Sequence, residues 1–142
     1  MCDQVKLLDF GLCGKLNPKN RYENSLTDKC GTVGYLAPEL LGNWGRQVEQ
    51  FESSSSGERL YGPKVDVFSV GIVFFEMLVG KNPFKTKKYD TTILRNYKGS
   101  INMSALFGYV DTQVLTFLKK LINPLPQKRY STNEALDDEL LC

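Results

Sequence analysis

The residues that could carry chemistry in this sequence are carboxylates, hydroxyls and thiols, because none of the 142 residues is a histidine. The lack of histidine excludes imidazole general bases, zinc sites with imidazole ligands and the Ser-His-Asp arrangement. Acidic residues occur in three short motifs, Asp9-Phe-Gly11, Ala37-Pro-Glu39 and Asp66-Val-Phe-Ser-Val-Gly71. Asp-Phe-Gly alone is common by chance, so the order and spacing of the three motifs must carry the interpretation.

Length and composition favour one compact intracellular domain. The apolar fraction is 42% and the charged fraction 24%, close to the globular average. The 18 basic and 16 acidic residues give a net charge of +2, too weak a bias to predict a nucleic-acid or membrane partner. The four cysteines form no CxxC pair, and the first nine residues lack the apolar run of a signal peptide. We therefore expect reduced thiols and a cytoplasmic location.

The first part of the chain predicts little regular structure. Residues 4–8 alternate and then turn apolar, which suits a short strand. Asp9-Phe-Gly11 follows with turn chemistry, and residues 12–29 are polar and read as a loop. A short helical turn is expected over 35–41, because proline fits only the first turn of a helix. Residues 42–62 contain a run of four serines, which is typical of a surface loop.

The rest of the chain predicts helices. Pro63 and Gly80 bound an almost wholly apolar segment, with the usual asymmetry of helix ends. A second, mostly polar helix is expected over 89–98, and a third follows Asp111, which can cap it. Ser131-Thr-Asn-Glu134 is a capping box, and its helix should extend to about Leu140. After the opening strand, the predicted fold is mainly α.

The motifs together carry a family resemblance. Cys30-Gly-Thr-Val-Gly-Tyr-Leu-Ala-Pro-Glu39 begins 19 residues after Gly11, and the apolar helix follows it. In this order the sequence resembles the C-terminal lobe of a eukaryotic protein kinase of the Ser/Thr type, nearest to the calmodulin-dependent group. The implied fold is a partial kinase-like one: a helical C-lobe with its activation segment and without the N-lobe.

The resemblance also implies a domain organisation. The chain (1–142) would be the C-lobe part of one kinase domain. It would comprise a strand (1–8), an activation segment (9–39), an insertion loop (42–62) and a helical base (63–142). The insertion makes the spacing between Glu39 and Asp66 longer than the family's, and it could be either a partner-docking loop or a disordered insert.

Residue roles follow from the resemblance. Asp9 would be a magnesium ligand, since magnesium takes hard oxygen donors. Phe10 would pack inward and set the direction of this aspartate, and Gly11 would supply unusual backbone angles. Thr32 would lie at the substrate site of a Ser/Thr kinase. The glycines and the tyrosine around it would shape this segment so that a peptide can approach it closely. Those neighbours include Gly34 and Tyr35.

Further roles implied by the resemblance are structural or regulatory. Glu39 would pair with a buried Arg129, and Asp66 would accept backbone N–H bonds from the catalytic loop. The activating phosphate of the family falls near Asp28. Either Thr27 is the phosphorylation site, or Asp28 supplies a permanent negative charge, or the two are a solvated loop pair.

The resemblance leaves the function divided between two readings. A complete kinase needs a glycine-rich loop, a strand lysine and a catalytic loop with its base, which come before Asp-Phe-Gly and are not in this sequence. The complete domain would use ATP and magnesium on protein substrates. This chain alone would bind ATP and magnesium weakly or not at all and would be inactive. The alternative is a non-catalytic, kinase-derived interaction module, and in either case exposed core surface could drive self-association.

A basic cluster stands outside the kinase motifs. The loop after the apolar helix carries Lys81, Lys85, Lys87 and Lys88. The cluster is either a solvated face or a docking site, and the sequence does not decide between them.

Overall fold

The computed structural model describes residues 5–16, 26, 30–42 and 61–141. Helices dominate these ranges, in which the sole β pairing is an isolated antiparallel bridge between Leu26 and Tyr61. The helices are α1 (Lys64–Val79), α2 (Tyr89–Lys98), α3 (Thr112–Leu121) and α4 (Thr132–Leu136), with 3-10 turns at Pro38–Leu41, Met103–Leu106 and Pro126–Lys128. The mainly α fold predicted from the sequence is confirmed.

Helix α1 is the centre of the core. It starts after Pro63 and ends at Gly80, whose φ of 77° is the left-handed cap that only glycine adopts readily. Helix α1 packs against α3, and its side chains Phe68 and Ile72 are fully buried. Gly71 makes this contact close, since a Cβ there would lie 2.5 Å from the Ile122 Cγ2 atom. The sequence has a glycine where the two helices touch because no larger side chain fits.

The opposite side of α1 faces solvent. Val70 is 57% exposed, Val73 47% and Met77 78%. An apolar helix of this kind is ordinarily enclosed by protein on all sides. Part of the apolar surface of α1 therefore faces water in this chain.

Helix α2 holds the segment before the insertion against the core. It packs on the 3-10 turn at Pro38–Leu41. Gly99, with a φ of 60°, ends α2 close to Pro38 and Pro124, where a Cβ would lie under 3.0 Å from side-chain atoms of both prolines. The predicted bounds of this helix, 89–98, match the structure.

The strand predicted over 4–8 is not formed in the described residues 5–8. Val5 is 98% exposed and Leu8 83%, and these residues make no β pairing. A strand needs hydrogen bonds from a neighbouring strand, and alternation of side chains alone does not supply them.

The last helix is also shorter than predicted. The capping box at its start is present: the Glu134 N–H donates to Ser131 Oγ, and the Ser131 N–H donates to Glu134 Oε2. However, α4 ends at Leu136 instead of about Leu140. The Asp138 carboxylate accepts the Leu140 N–H at 3.2 Å, and such local side-chain bonds compete with helix continuation.

Candidate functional site

The Asp9 loop is an exposed, strained bend. Asp9 has a φ of 64°, in the left-handed region that non-glycine residues seldom occupy. Its Oδ1 accepts the Gly11 N–H at 3.3 Å, a local bond that helps aspartate to tolerate this conformation. The positive φ lies at Asp9, two residues before Gly11, and the role expected of Gly11 remains a prediction.

Phe10 does not pack inward as expected. Its side chain is 67% exposed. The nearby Leu8 and Leu12 side chains are likewise exposed, at 83% and 73%.

A magnesium ion would find one ligand at this bend. The Asp9 carboxylate is exposed, and the described residues contain no cluster of three or more acidic or cysteine side chains that could hold a metal. Magnesium is commonly held by one or two carboxylates together with substrate phosphates and water. The donor set of the described residues alone therefore does not fit a magnesium site, although Asp9 could contribute one ligand to a larger one.

The segment from Thr32 to Tyr35 forms a tight turn. The Tyr35 N–H donates to the Thr32 carbonyl at 3.1 Å, and Gly34 at the third position has a φ of 102°. A positive φ at that position is why the turn needs glycine. Thr32 is exposed, whereas Val33 and Gly34 are buried. The turn thus presents a hydroxyl to solvent from a fixed base.

Two buried asparagines fix this turn. The Gly34 N–H donates to Asn96 Oδ1 at 2.8 Å, and Asn96 Nδ2 donates to the Leu36 carbonyl at 2.7 Å. From the other side, Asn82 Nδ2 donates to the Gly34 carbonyl at 3.1 Å. Both polar groups of Gly34 are therefore saturated by side chains far away in sequence.

Sequence reasoning missed both asparagines as positioning residues. Asn82 lies two residues after Gly80, the C-terminal cap of α1, in a loop where an amide side chain would ordinarily face solvent. Asn96 lies in a helix that reads as mostly polar, although the asparagine itself is fully buried. A signal existed for Asn96, since it is on the same face as the apolar Ile93.

Tyr35 ties the turn to α1. Its hydroxyl donates to Glu76 Oε2 at 2.6 Å, and its carbonyl accepts the Ser69 hydroxyl at 2.8 Å. The Lys85 ammonium lies 5.3 Å from the centre of the tyrosine ring, within cation–π range. Tyr35 is therefore attached at its hydroxyl, its ring and its backbone.

Glu39 and Arg129 form a two-bond ion pair. Arg129 Nη1 lies 2.7 Å from Glu39 Oε1, and Nη2 lies 2.9 Å from Oε2. The arginine side chain is fully buried and the glutamate side chain is 19% exposed. The guanidinium also donates to the carbonyls of Asn123 and Lys64 at 2.8 and 2.9 Å and stacks on the Phe68 ring. The structure thus brings together two residues that are 90 positions apart.

Asp66 is in a different electrostatic position. It lies in the first turn of α1, is exposed, and receives no hydrogen bond to its carboxylate from the described residues. Partial desolvation raises the pKa of Asp66 above its ordinary value of 3.8. Desolvation of this carboxylate therefore outweighs the favourable effect that the N-terminus of α1 has on its charge.

Two of the sequence expectations lie outside the described residues. Thr27, the candidate phosphorylation site, is not among them, and neither is Asp28. Of the insertion loop (42–62), only residues 42, 61 and 62 are described. The division of the domain at these points remains a prediction.

The comparison with known proteins decides the family. A family model described as the protein kinase domain matches residues 1–141. The chain belongs to the protein kinase domain family. Within the described ranges, none of the helices combines the length and the apolar character needed to cross a membrane.

Named relatives are kinases of the same broad class. The chain is 30% identical over 139 residues to the human hormonally up-regulated neu tumor-associated kinase, covering 98% of this chain and 17% of that protein. It is 29% identical over 136 residues to the Xenopus tropicalis serine/threonine-protein kinase PLK1, covering 96% of this chain and 19% of that protein. The chain thus spans less than a fifth of the length of these two kinases. Membership of the calmodulin-dependent group remains a prediction.

Proposed function

We propose that this chain is the substrate-seating part of a protein serine/threonine kinase. In its complete form the kinase moves the γ-phosphate of ATP to the hydroxyl of a serine or threonine in a protein. The observation that carries the proposal is the turn at Thr32–Tyr35, which holds an exposed hydroxyl on a base fixed by Asn82 and Asn96. Phosphoryl transfer depends mostly on positioning and electrostatics, so a rigid seat for the acceptor peptide is a catalytic requirement.

Each matched residue has a task in this proposal. Thr32 orients the acceptor hydroxyl, and the Glu39–Arg129 pair anchors the end of the segment that carries Thr32. Asp9 would contribute one carboxylate oxygen to a larger magnesium site, and the ion would supply charge neutralisation at the nucleotide phosphates. Asp66 accepts backbone N–H groups of a catalytic loop, and these hydrogen bonds would offset the desolvation that raises its pKa.

The sequence does not contain the base that would take the proton from the acceptor hydroxyl. It also has no glycine-rich phosphate loop and no strand lysine ahead of Asp9. We therefore propose that the chain by itself transfers no phosphate and binds ATP weakly or not at all. A cytoplasmic location belongs to the same proposal and rests on the free thiols of Cys13 and Cys30.

The test compares two polypeptides in a labelled-ATP assay with magnesium and a mixed protein substrate. The first is the 142-residue chain, and the second is the protein read from the same gene with any coding residues upstream of Met1. We expect label on serine or threonine with the second and none with the first. Asp9→Asn in the longer protein should reduce transfer at least ~100-fold, and Thr32→Ser should retain more activity than Thr32→Ala. Label on tyrosine only, or transfer by the short chain, contradicts the proposal.

The exposed face of α1 favours a second function, that of a non-catalytic interaction module. The apolar side chains of Val70, Val73 and Met77 on this face would gain from being covered by another protein surface, including a second copy of the chain. Sedimentation of the chain should show concentration-dependent association that Val73→Lys with Met77→Lys weakens. A monomer at all concentrations speaks against this second function.

A further inference from the structure

The loop between α1 and α2 carries a concentrated positive charge. We define the basic rim as the side chains of Lys81, Lys85, Lys87 and Lys88. All four residues are exposed, and none of them forms an ion pair with the residues that the structure describes. The segment 81–88 contains no acidic residue to offset this charge. Four unpaired ammonium groups within eight residues repel one another, so the rim favours an anionic partner.

The basic rim is joined directly to the turn that seats the substrate in the proposed function. Asn82 donates to the Gly34 carbonyl, and the same side chain accepts the N–H groups of Phe84 and Lys85 at 3.0 and 3.1 Å. One buried amide thus fixes the loop and the turn to each other. The Lys85 ammonium consequently lies over the Tyr35 ring, beside the turn.

The far end of the loop is fixed as well. The Thr86 N–H donates to Thr92 Oγ1 at 3.0 Å, and the Thr86 hydroxyl donates to the Lys88 carbonyl at 2.7 Å. Because the backbone of this loop is already ordered, binding a partner costs less conformational entropy than it would for a mobile lysine-rich loop. The lysine side chains remain free to follow a peptide, while their attachment points are held.

Nearby acids do not cancel the rim. Glu76 already accepts the Tyr35 hydroxyl on α1. Asp90 is exposed in the first turn of α2, where the helix N-terminus favours its charge. Glu76 keeps its charge while it accepts the Tyr35 hydroxyl, so two carboxylates beside four lysines still leave an excess of positive charge next to the turn that seats the acceptor residue.

We propose that the basic rim selects protein substrates that carry an acidic segment next to the phosphorylated serine or threonine. This inference rests on the proposed function for the meaning of "substrate". The binding of an acidic peptide to the rim does not depend on phosphoryl transfer. Glutamate or aspartate side chains on the 81–88 side of the turn would meet the lysines while the acceptor lies at Thr32. Such contacts are exposed, so they set preference among peptides and on-rate more than absolute affinity.

The test measures binding to the 142-residue chain by fluorescence anisotropy. The probes are a labelled serine peptide flanked by glutamates, its glutamine analogue and its lysine analogue. We expect the glutamate peptide to bind at least about tenfold more tightly than the glutamine peptide at low salt. The difference should shrink as salt shortens the Debye length from ~10 Å at 0.1 M towards ~3 Å at 1 M.

Matched charge variants separate the rim from the net charge of the chain. The rim variant replaces all four rim lysines by glutamine: K81Q, K85Q, K87Q and K88Q. The control variant removes the same number of exposed lysines elsewhere: K6Q, K15Q, K119Q and K128Q. We expect the rim variant to lose the preference for glutamate and the control to keep it. Far-UV circular dichroism of both variants verifies that they remain folded.

Every outcome decides the proposal. Equal binding of glutamate and glutamine peptides overturns it, and so does a loss of preference that is the same in both variants. If the rim variant unfolds, a second experiment takes its place: the glutamate peptide is added to the wild-type chain, and amide exchange is measured at 81–88 and 32–35. Unchanged exchange in both segments overturns the proposal. A longer protein that shows no kinase activity while the chain still binds the acidic peptide through the rim rejects the proposed function and leaves the rim as a docking surface.

Discussion

Removing Arg129 should cost this chain a large part of its stability. The guanidinium is fully buried and makes two bonds to Glu39 and two good bonds to the carbonyls of Asn123 and Lys64. Arg129→Ala leaves a carboxylate that is only 19% exposed without its cation. It also removes the donor of two hydrogen bonds to backbone carbonyls and leaves a space beside Phe68. All of these losses act in the same direction.

The magnitude follows from the burial of the pair. Breaking a buried ion pair by removing one partner costs ~3–5 kcal/mol, because the remaining charge is left in a poorly solvated position. An exposed pair would cost under ~1 kcal/mol. Since single domains are stable by about 5–15 kcal/mol, we expect Arg129→Ala to shift the unfolding midpoint strongly or to prevent folding at 37 °C.

Urea unfolding followed by far-UV circular dichroism measures this cost. Arg95→Ala is the matched control, since Arg95 is exposed in the last turn of α2, and it should change the free energy of unfolding by less than ~1 kcal/mol. Glu39→Gln retains the shape of the side chain and should cost less than Arg129→Ala. The double variant of Glu39 and Arg129 should cost less than the sum of the two single variants. A loss below ~1 kcal/mol for Arg129→Ala would refute the reasoning, because a buried guanidinium cannot be that dispensable.

Three further changes test other parts of the structure. Asp66→Asn should leave the free energy of unfolding within about 0.5 kcal/mol of wild type or raise it. The reason is that desolvation raises the pKa of Asp66 and that no described residue donates a hydrogen bond to its carboxylate. A clear loss of stability in a urea melt contradicts this expectation. Asn96→Leu should cost about 2 kcal/mol and speed amide exchange at Gly34, because a buried N–H loses its acceptor, and unchanged exchange contradicts this. The hydrogen bond from Tyr130 lowers the pKa of Asp138 below its ordinary 3.8, so the stability that Asp138 contributes is complete above that pH and is lost as the pH falls through the lower, folded value. Asp138→Asn should flatten this acid dependence in urea melts taken over a pH series, and an unchanged pH profile rules the contribution out.

The helical framework could be predicted because its signals are local. Pro63 and Gly80 bound α1, and the capping box at Ser131 starts α4, through contacts within a few residues of each terminus. The end of α4 could not be predicted in this way. It depends on Asp138, which also bonds Tyr130 and Lys120 in a different element.

The pair of Glu39 and Arg129 could be predicted because few other side chains can satisfy a buried arginine. The structure places Glu39 and Arg129 together, as the family resemblance implied, since a buried arginine fork is best satisfied by a carboxylate. The roles of Asn82 and Asn96 were missed, because an amide side chain suits an exposed position as well as a buried one. Only the three-dimensional structure shows that both bond Gly34.

The hydrogen bonds of the described residues divide the residues of the candidate site into two groups. No buried side-chain nitrogen or oxygen atom in those ranges lacks a partner, and Arg129 and Asn96 are saturated. The Asp66 carboxylate and the Phe10 ring, by contrast, are exposed, and none of the described residues donates a hydrogen bond to the Asp66 carboxylate. Because buried polar groups must be satisfied within the fold while exposed ones need not be, the saturated group is what holds the substrate turn on the helical base. The exposed group, the Asp66 carboxylate and the Phe10 ring, is where a further polypeptide segment would form the most favourable new contacts. In the proposed kinase that segment is the catalytic loop with the structure around it.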